Sequence, residues 1–423
     1  MATRWSGNPE SDRSLNRAVK DGMGQAVLTG IVDSYMSAYA VLLGLTAAQI
    51  AIVAAFPGWI GSFIQVAGAW LARQGVRRKT LILAGSAVQI AMLPTVLVLP
   101  WQFPAYAYPI LIACAAIYHA GNHLMQPNWI SLIGDHLPEQ VRGRYFGRRT
   151  SLAGIVGFAA MALAGGVLHW FEAQDMARIG FAVIFAIGGL GRLYSLWQLS
   201  GVADPGLAAD AEQLRPDSGG LRRLWQSNFF RYSLSIGLMF AAVSFASPFF
   251  AVYMLRELHF TYLEFMGNMA ASAATQALLM PVWGRVRDMR GNRLVIIISG
   301  ALIPLVPVVW VFTPNYWALF FAQVITGAAW SGYTLAATTF LYDTVPPARR
   351  TLATAVHTVL SLSFWSVGAF AAAWLTTRMP TEITLFGETW SWGSQILPMF
   401  ALSAVLRGLV AVLTLPRLKE TRS

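Results

Sequence analysis

Charge is scarce in this chain. Only 12% of its 423 residues are Asp, Glu, Lys or Arg, against about 25% in a soluble domain. A soluble protein of this size also needs more polar surface to cover its core than a chain that is 56% hydrophobic provides. Lysine is nearly absent, at three of the 30 basic residues, the rest being Arg. The single cysteine, Cys114, excludes an internal disulfide and stands inside an apolar run. No nucleophile–base motif, phosphate-cradling glycine loop or cysteine metal site occurs, so the reading is of no enzyme, no ATP drive and no cofactor. The net charge of +11 is spread between apolar segments and not gathered on one face. That distribution speaks for membrane topology and against nucleic acid.

What is abundant is apolar chain in lengths of about 20 residues, enough to span a bilayer core as a helix. Such segments lie at about 21–43, 47–71, 79–100, 105–134, 149–170 and 178–201, then at 228–255, 260–284, 293–312, 315–342, 351–376 and 394–415. The pattern predicts an all-α membrane protein of twelve spans: an N-tail 1–20, a six-helix bundle 21–201, a polar linker 202–227, a second bundle 228–415 and a C-tail 416–423. The tail 1–20 carries Arg4, Arg13, Arg17 and Lys20 without an apolar core. It is therefore not a cleavable signal, and the first span is expected to be retained. Of the 30 Lys and Arg, Arg178, Arg256 and Arg378 fall on one side of this scheme and Arg192 and Arg407 inside spans. The remaining 25 share the side of both termini. An excess of that size places the termini in the cytoplasm and the chain in the inner (plasma) membrane. Trp101, Trp170, Trp317, Trp390 and Trp392 fit the outer aromatic belt, and Trp70, Trp197, Trp225 and Trp283 the inner one.

The two halves repeat. Asp135-x-x-Pro138-x-x-x-Arg142 recurs as Asp343-x-x-Pro346-x-x-x-Arg350, 208 residues on. Arg17 and Tyr39 match Arg231 and Tyr253 at 214, Thr46 and Gln49 match Thr261 and Glu264 at 215, and Arg192 matches Arg407 at 215. Parallel six-helix repeats are a transporter architecture whose substrate is held near the midplane between the halves.

The loop after span 2 reads Gly68-Ala-Trp-Leu-Ala72-Arg73-Gln-Gly75-Val-Arg77-Arg78-Lys79. The loop after span 8 reads Gly284-Arg-Val-Arg-Asp288-Met-Arg-Gly291-Asn-Arg293. Both resemble the Gly-x-x-x-Asp-Arg-x-Gly-Arg-Arg/Lys loop of the major facilitator superfamily, with Ala72 standing where the Asp belongs. The resemblance implies that these residues latch the cytoplasmic gate, with Asp288 making the dominant contact, and it brings Asp135, Arg142, Asp343 and Arg350 to the same gate. On physical grounds Gly68 and Gly284 allow close helix packing, Gly75 and Gly291 a tight turn, and the arginines bind carboxylates, helix-end carbonyls or lipid phosphates. The stretch from Gly121-Asn122 to Arg148-Arg149 resembles a bacterial permease subgroup, which implies fold and general activity but no cargo. The span 5 Gly-Pro motif of drug antiporters and the post-span-6 signature of sugar porters are both missing.

Polar residues inside spans carry the functional expectation. Asp33 stands 12 residues into span 1, or ~18 Å along a helix. An Asp at a helix centre costs roughly 2.5–3.5 kcal/mol on insertion scales, which points to a cavity, a partner or a proton. Its matched position is Ser247, so the charge breaks the repeat. His119 and His123 share one face of span 4, with Asn122 and Gln126 on or beside it. They suit a proton relay, a weak divalent-metal site or plain interhelical hydrogen bonds. Asn268 and Gln276 on span 8 are further cavity candidates. Arg192 and Arg407 are expected to snorkel to the cytoplasmic headgroups. The reading is a monomeric secondary transporter of a small solute, proton-coupled through Asp33. The alternatives are a divalent-metal or drug and metabolite exporter, and a non-transporting or lipid-translocating protein on the same scaffold.

Overall fold

The computed structural model describes residues 5–204, 228–344, 350–379, 382–385, 388–391 and 394–418. Among these the chain forms twelve long helical segments. The first six are α1 (Pro9–Leu42), α2 (Ala47–Arg73), α3 (Arg78–Ala91 continued by Leu93–Gln102), α4 (Ala107–His136), α5 (Glu139–Glu172) and α6 (Ala177–Ser200). The second six begin with α7, built of Asn228–Ser244, Phe249–Val252 and a π turn Tyr253–Glu257. Then come α8 (Tyr262–Arg290), α9 (Asn292–Leu302 and Leu305–Phe312), α10 (Tyr316–Thr344), α11 (Arg350–Thr376) and α12 (Leu397–Leu413). The breaks in α3, α7 and α9 fall beside Pro94, Pro248 and Pro304, where a backbone N–H is lost to the helix ladder.

Eight segments are long and apolar enough to cross a membrane on length and composition alone. The other four, α1, α4, α8 and α10, have ample length at 34, 30, 29 and 29 residues but are less apolar. These four carry Asp33, the two histidines, Asn268 with Gln276, and Gln323. The chain divides into two compact units: residues 1–45, 56–214 and 261–263 in one, and 46–55, 215–260 and 264–423 in the other.

Three expectations are corrected. First, residues 9–20 are helical and not a free tail. Pro9 stands at the first helical position, the Asn8 side chain accepts from Glu10 N at 2.9 Å, and Glu10 and Asp12 occupy the first turn. Each is a helix-start signal. Asp12 also accepts from the backbone N–H groups of Trp5 and Ser6 at 2.8 and 2.7 Å. Trp5 is thereby folded onto Tyr145, with ring centroids 5.2 Å apart. Second, the loop between α11 and α12 holds an antiparallel hairpin, β1 (Glu382–Leu385) with β2 (Glu388–Ser391), in which Glu382 pairs with Ser391. Third, Trp283 is not a belt residue, since its indole turns inward and donates to the Ala328 carbonyl at 2.9 Å. Trp70, Trp101, Trp170, Trp197 and Trp317 are all exposed, as a belt requires. Trp225 and the side chains of Trp390 and Trp392 lie outside the described residues.

In the first unit α1 crosses α5 so closely that a Cβ on Gly30 would meet the Gly157 carbonyl oxygen at 2.4 Å. Small residues at such crossings let helix backbones approach in a membrane. The end of this bundle near the start of α1 is filled by Leu15, Ile82, Trp129, Ile133, Tyr145 and Leu199.

Candidate functional site

Asp33 lies on α1 and is exposed. Its carboxylate accepts a hydrogen bond from the Tyr118 hydroxyl of α4 at 3.1 Å. Among the described residues it makes no ion pair. Tyr118 is itself buried, and its carbonyl accepts from Gln89 of α3 at 3.1 Å. The next residue, His119, meets the Tyr118 ring edge-on with centroids 5.2 Å apart. The carboxylate and the histidine pair therefore join through Tyr118 and not directly.

The histidine face is turned toward α2. His123 Nδ1 lies 3.2 Å from Gln65 Oε1, and a Cβ on Gly61 would come 2.4 Å from the His123 ring and 3.2 Å from the His119 carbonyl. The two rings are 6.5 Å apart. Among the described residues no three His, Cys, Asp or Glu gather as metal ligands, so the spacing finds no third ligand. Asn122 is half-buried and accepts from Gln25 of α1 at 3.4 Å, while Gln126 is exposed. In the second unit Asn268 is fully buried and donates to Glu264 O on its own helix at 3.1 Å, so it is closed to a cavity. Gln276 is half-buried.

A second acid on α1 was missed by sequence reasoning. Asp21 is 1% exposed. Its carboxylate accepts from Ser195 of α6 at 2.6 Å, from the Trp129 indole at 3.1 Å and from Arg149 of α5 at 3.5 Å. Arg149 also lies 3.9 Å over the Trp129 ring. Ser195 in turn accepts from Arg192 at 2.7 Å, and Arg192 donates to Ser86 of α3 at 2.8 Å and contacts the Met125 sulfur at 3.0 Å. Arg192 thus does not snorkel. Nine residues from the inner end of its span, it turns toward hydroxyls that accept it inside the bundle. Arg407 behaves likewise, at 3% exposure, donating to Ser403 and to the carbonyls of Ile303 and Val243. The signal that could have found Asp21 is the Asn8-Pro9-Glu10 helix start, which moves residue 21 from a span's edge to its interior.

Where α4 meets α5, the first Asp-x-x-Pro-x-x-x-Arg knot is resolved into parts. Leu137 is extended ahead of Pro138, ending α4 and letting α5 begin at Glu139. Asp135 pairs with Arg78, and Arg78 also donates to Ser131 at 2.7 Å. Arg78, not Arg77, is the loop residue that reaches the knot. Arg77 is exposed, and the side chains of Arg73, Arg142, Asp343 and Arg350 lie outside the described residues. Gly75 and Gly291 take φ values of +90° and +88°, the left-handed turn that favours glycine. Gly68 packs against Leu124, whereas a Cβ on Gly284 would meet nothing within 4 Å, so the close packing expected there is missing. Asp288 is 3.4 Å from its neighbour Arg287 and its side chain is 73% exposed. Thr339, matched to Ser131, donates instead to Asn292. Both bundles also clasp the end of their last helix. Arg17 holds the Gly201 carbonyl, Lys79 the Val202 carbonyl at 2.7 Å and His136 that of Ala203 at 2.9 Å. Arg293 holds the carbonyl of Pro416, the match of Gly201, at 2.9 Å. Basic groups at helix C-termini satisfy free carbonyls and the dipole together.

A groove of about 760 Å³ between α3 and α4, lined by Val88, Met92, Ile110 and Ile117, holds none of these polar groups.

Duplicated six-helix units, paired basic clasps and polar side chains confined to certain spans define a multi-pass membrane protein with a transporter fold. The family model of the Major Facilitator Superfamily matches residues 22–253 and 232–423, and the chain belongs to that superfamily. Among solved structures, a single-residue mutant of the nucleoside transporter NupG is 14% identical, with a TM-score of 0.73 over 96% of this chain and 100% of that one. A D-xylose–proton symporter is 14% identical, with 0.72 over 97% and 98%. A POT family transporter holding a thioalcohol-conjugated peptide is 12% identical, with 0.69 over 96% and 97%. At such identities the likeness is one of fold. Among curated proteins none matches.

Proposed function

We propose that the chain is a secondary transporter that moves a small solute across the inner membrane by alternating access, as a monomer with both termini in the cytoplasm, and that a proton at Asp33 couples the movement. The observation that carries this reading is the contrast between two acids on one helix. Asp21 is enclosed by Arg149, Ser195 and Trp129. Asp33 is exposed and is held by one neutral phenol. A carboxylate without a cation can take up or release a proton without breaking an ion pair, which is what a coupling group must do. Ser247 at the matched position hydrogen-bonds its own helix at Val243 O, 2.9 Å away, so the second bundle offers no twin for Asp33.

The test uses vesicles reconstituted with the purified protein and loaded with a pH-sensitive dye. Solutes are screened for those whose addition moves protons through the wild type. Asp33→Asn is expected to abolish solute-driven proton movement while preserving solute counterflow. Proton movement undiminished in Asp33→Asn sinks the coupling. No solute-dependent flux in the wild type favours the non-transporting alternative.

A further inference from the structure

Three aromatic rings of the second unit stand together where the first unit has none. Phe240 of α7 lies between Trp330 of α10, with centroids 6.0 Å apart at 41°, and Trp365 of α11, at 6.1 Å and 88°. All three are half-buried. They pack on the core around Met239, Tyr333 and Ala336, and each keeps part of its surface exposed. Counted from the cytoplasmic ends of their helices they lie roughly 18–22 Å deep, near mid-span, at 1.5 Å per residue.

The matched residues in the first unit are Ala26 at 214, and Asn122 and Gly157 at 208, by the offsets of the neighbouring Arg17 and Asp135–Arg142 matches. There the space is closed, since a Cβ on Gly157 would lie 3.3 Å from the Ala26 carbonyl oxygen. The repeat thus replaces Ala, Asn and Gly by Phe, Trp and Trp at three positions that face one another. Replacing one ring could be packing. Replacing all three, with none of them fully buried, builds an aromatic surface.

The indole N–H groups say what that surface receives. Trp283, on the same core, gives its N–H to the Ala328 carbonyl. Among the described residues neither Trp330 nor Trp365 has an acceptor for its indole N–H, and neither nitrogen is sealed in the interior. Buried or interfacial Trp normally finds a partner. Ring faces alone would suit a cation, but two free donors beside them oppose one.

We propose that Phe240, Trp330 and Trp365 form a subsite for a flat heteroaromatic ring bearing hydrogen-bond acceptors, which stacks on the rings and accepts from the indoles. This deepens the transporter reading and rests on it.

The test is binding of adenosine, uridine and nicotinamide to the full chain in lipid nanodiscs by calorimetry, with D-xylose and tetramethylammonium as counter-probes. At least one heteroaromatic should bind. Trp330→Ala and Trp365→Ala should each weaken it roughly 5- to 150-fold, the span of one base–aromatic stack. Trp330→Phe and Trp365→Phe keep a ring and remove only the donor, with expected losses of roughly 2- to 13-fold. These milder variants decide the matter if the alanine forms do not fold. The proposal is overturned if none of the three heteroaromatics binds, if only a counter-probe binds, or if removing ring and donor leaves affinity unchanged. Asp33→Asn separates the two readings. Ring-dependent binding retained in that variant, with proton movement also unchanged, keeps the subsite and loses the coupling.

Discussion

Replacing Asp21 by Asn keeps the shape of the side chain and removes one charge from a sealed cluster. The wild-type carboxylate offers only acceptors, to Ser195 at 2.6 Å, Trp129 at 3.1 Å and Arg149 at 3.5 Å. An amide retains one acceptor for Ser195 but turns its NH2 toward the donors of Trp129 and Arg149. Two guanidinium groups, Arg149 beside it and Arg192 one hydroxyl away, are then left without a carboxylate. Breaking a buried ion pair by removing one partner costs roughly 3–5 kcal/mol. At about 2–4 °C per kcal/mol for a unit of this size, the unfolding midpoint should fall by roughly 6–20 °C. The chain supplies its own probe, because its single cysteine, Cys114, is 4% exposed and lies in the same bundle. Heating the detergent-solubilised protein with a thiol-reactive fluorophore reports when that bundle opens. Pairing Asp21→Asn with Arg149→Gln should cost less than the sum of the two single changes, because the second removes a cation that the first stranded. A midpoint for Asp21→Asn within about 2 °C of the wild type would refute the cluster's role.

Three further outcomes follow from the same contacts. Arg192→Leu should lower the midpoint more than Arg407→Leu, because the first removes a cation one hydroxyl from the buried Asp21 and leaves Ser195 and Ser86 without their donor, whereas Arg407 faces only Ser403 and two carbonyls; intrinsic fluorescence melting of both variants compares them, and equal losses would contradict it. Gly327→Ala should cost roughly 1–3 kcal/mol with no rescue, since its Cβ would lie 2.3 Å from Ser272 O, whereas Gly61→Ala, which strikes the His123 ring, should be rescued in a melting cycle by His123→Ala. Asp135→Ala should increase proteolytic cleavage near 138, since it frees Arg78 and loosens the junction of α4 and α5; an unchanged digestion pattern counts against that tie.

Spans and repeat were legible because a bilayer demands about 20 apolar residues and a duplicated chain keeps its polar positions at nearly one offset. Asp33 and the histidine face were legible because a polar group deep in an apolar run has no local excuse. Asp21 was not. It stood at the edge of an apolar run, where an acid looks solvated, and only the helix start at Asn8–Glu10 reveals that α1 is already well under way there. Arg192 and Arg407 were misread for the complementary reason. Hydropathy gives depth but not direction, and a snorkelling arginine differs from an inward one only in which hydroxyls its helix neighbours supply. The gate motif drew attention to Arg77, which is exposed, because spacing could not distinguish it from Arg78, which starts α3 and meets Asp135.

Differences between the two halves fall into two kinds, and the distinction bears on where specificity lies. At one kind a change on one helix is answered by a change on its neighbour. Gly61 opposes His119 and His123 in the first half, and Gln276 opposes Gly327 in the second. By the offsets of 215 and 208, Gly61 matches Gln276 and His119 matches Gly327, so each half sets one glycine at this crossing, on opposite helices. Close approach of the two backbones explains the exchange. At the other kind nothing answers. Asp33 has no acidic counterpart in the repeat and, among the described residues, no cation, and Ser247 at the matched position bonds its own helix. Phe240, Trp330 and Trp365 replace three small or polar residues, and among the described residues neither indole N–H has an acceptor. Packing does not require an uncompensated charge or an uncovered ring face, and each carries a standing cost in desolvation or lost contact. A cost that the fold does not offset is most simply offset by what binds there, which directs the search for cargo to these two places before any residue of the repeated gate.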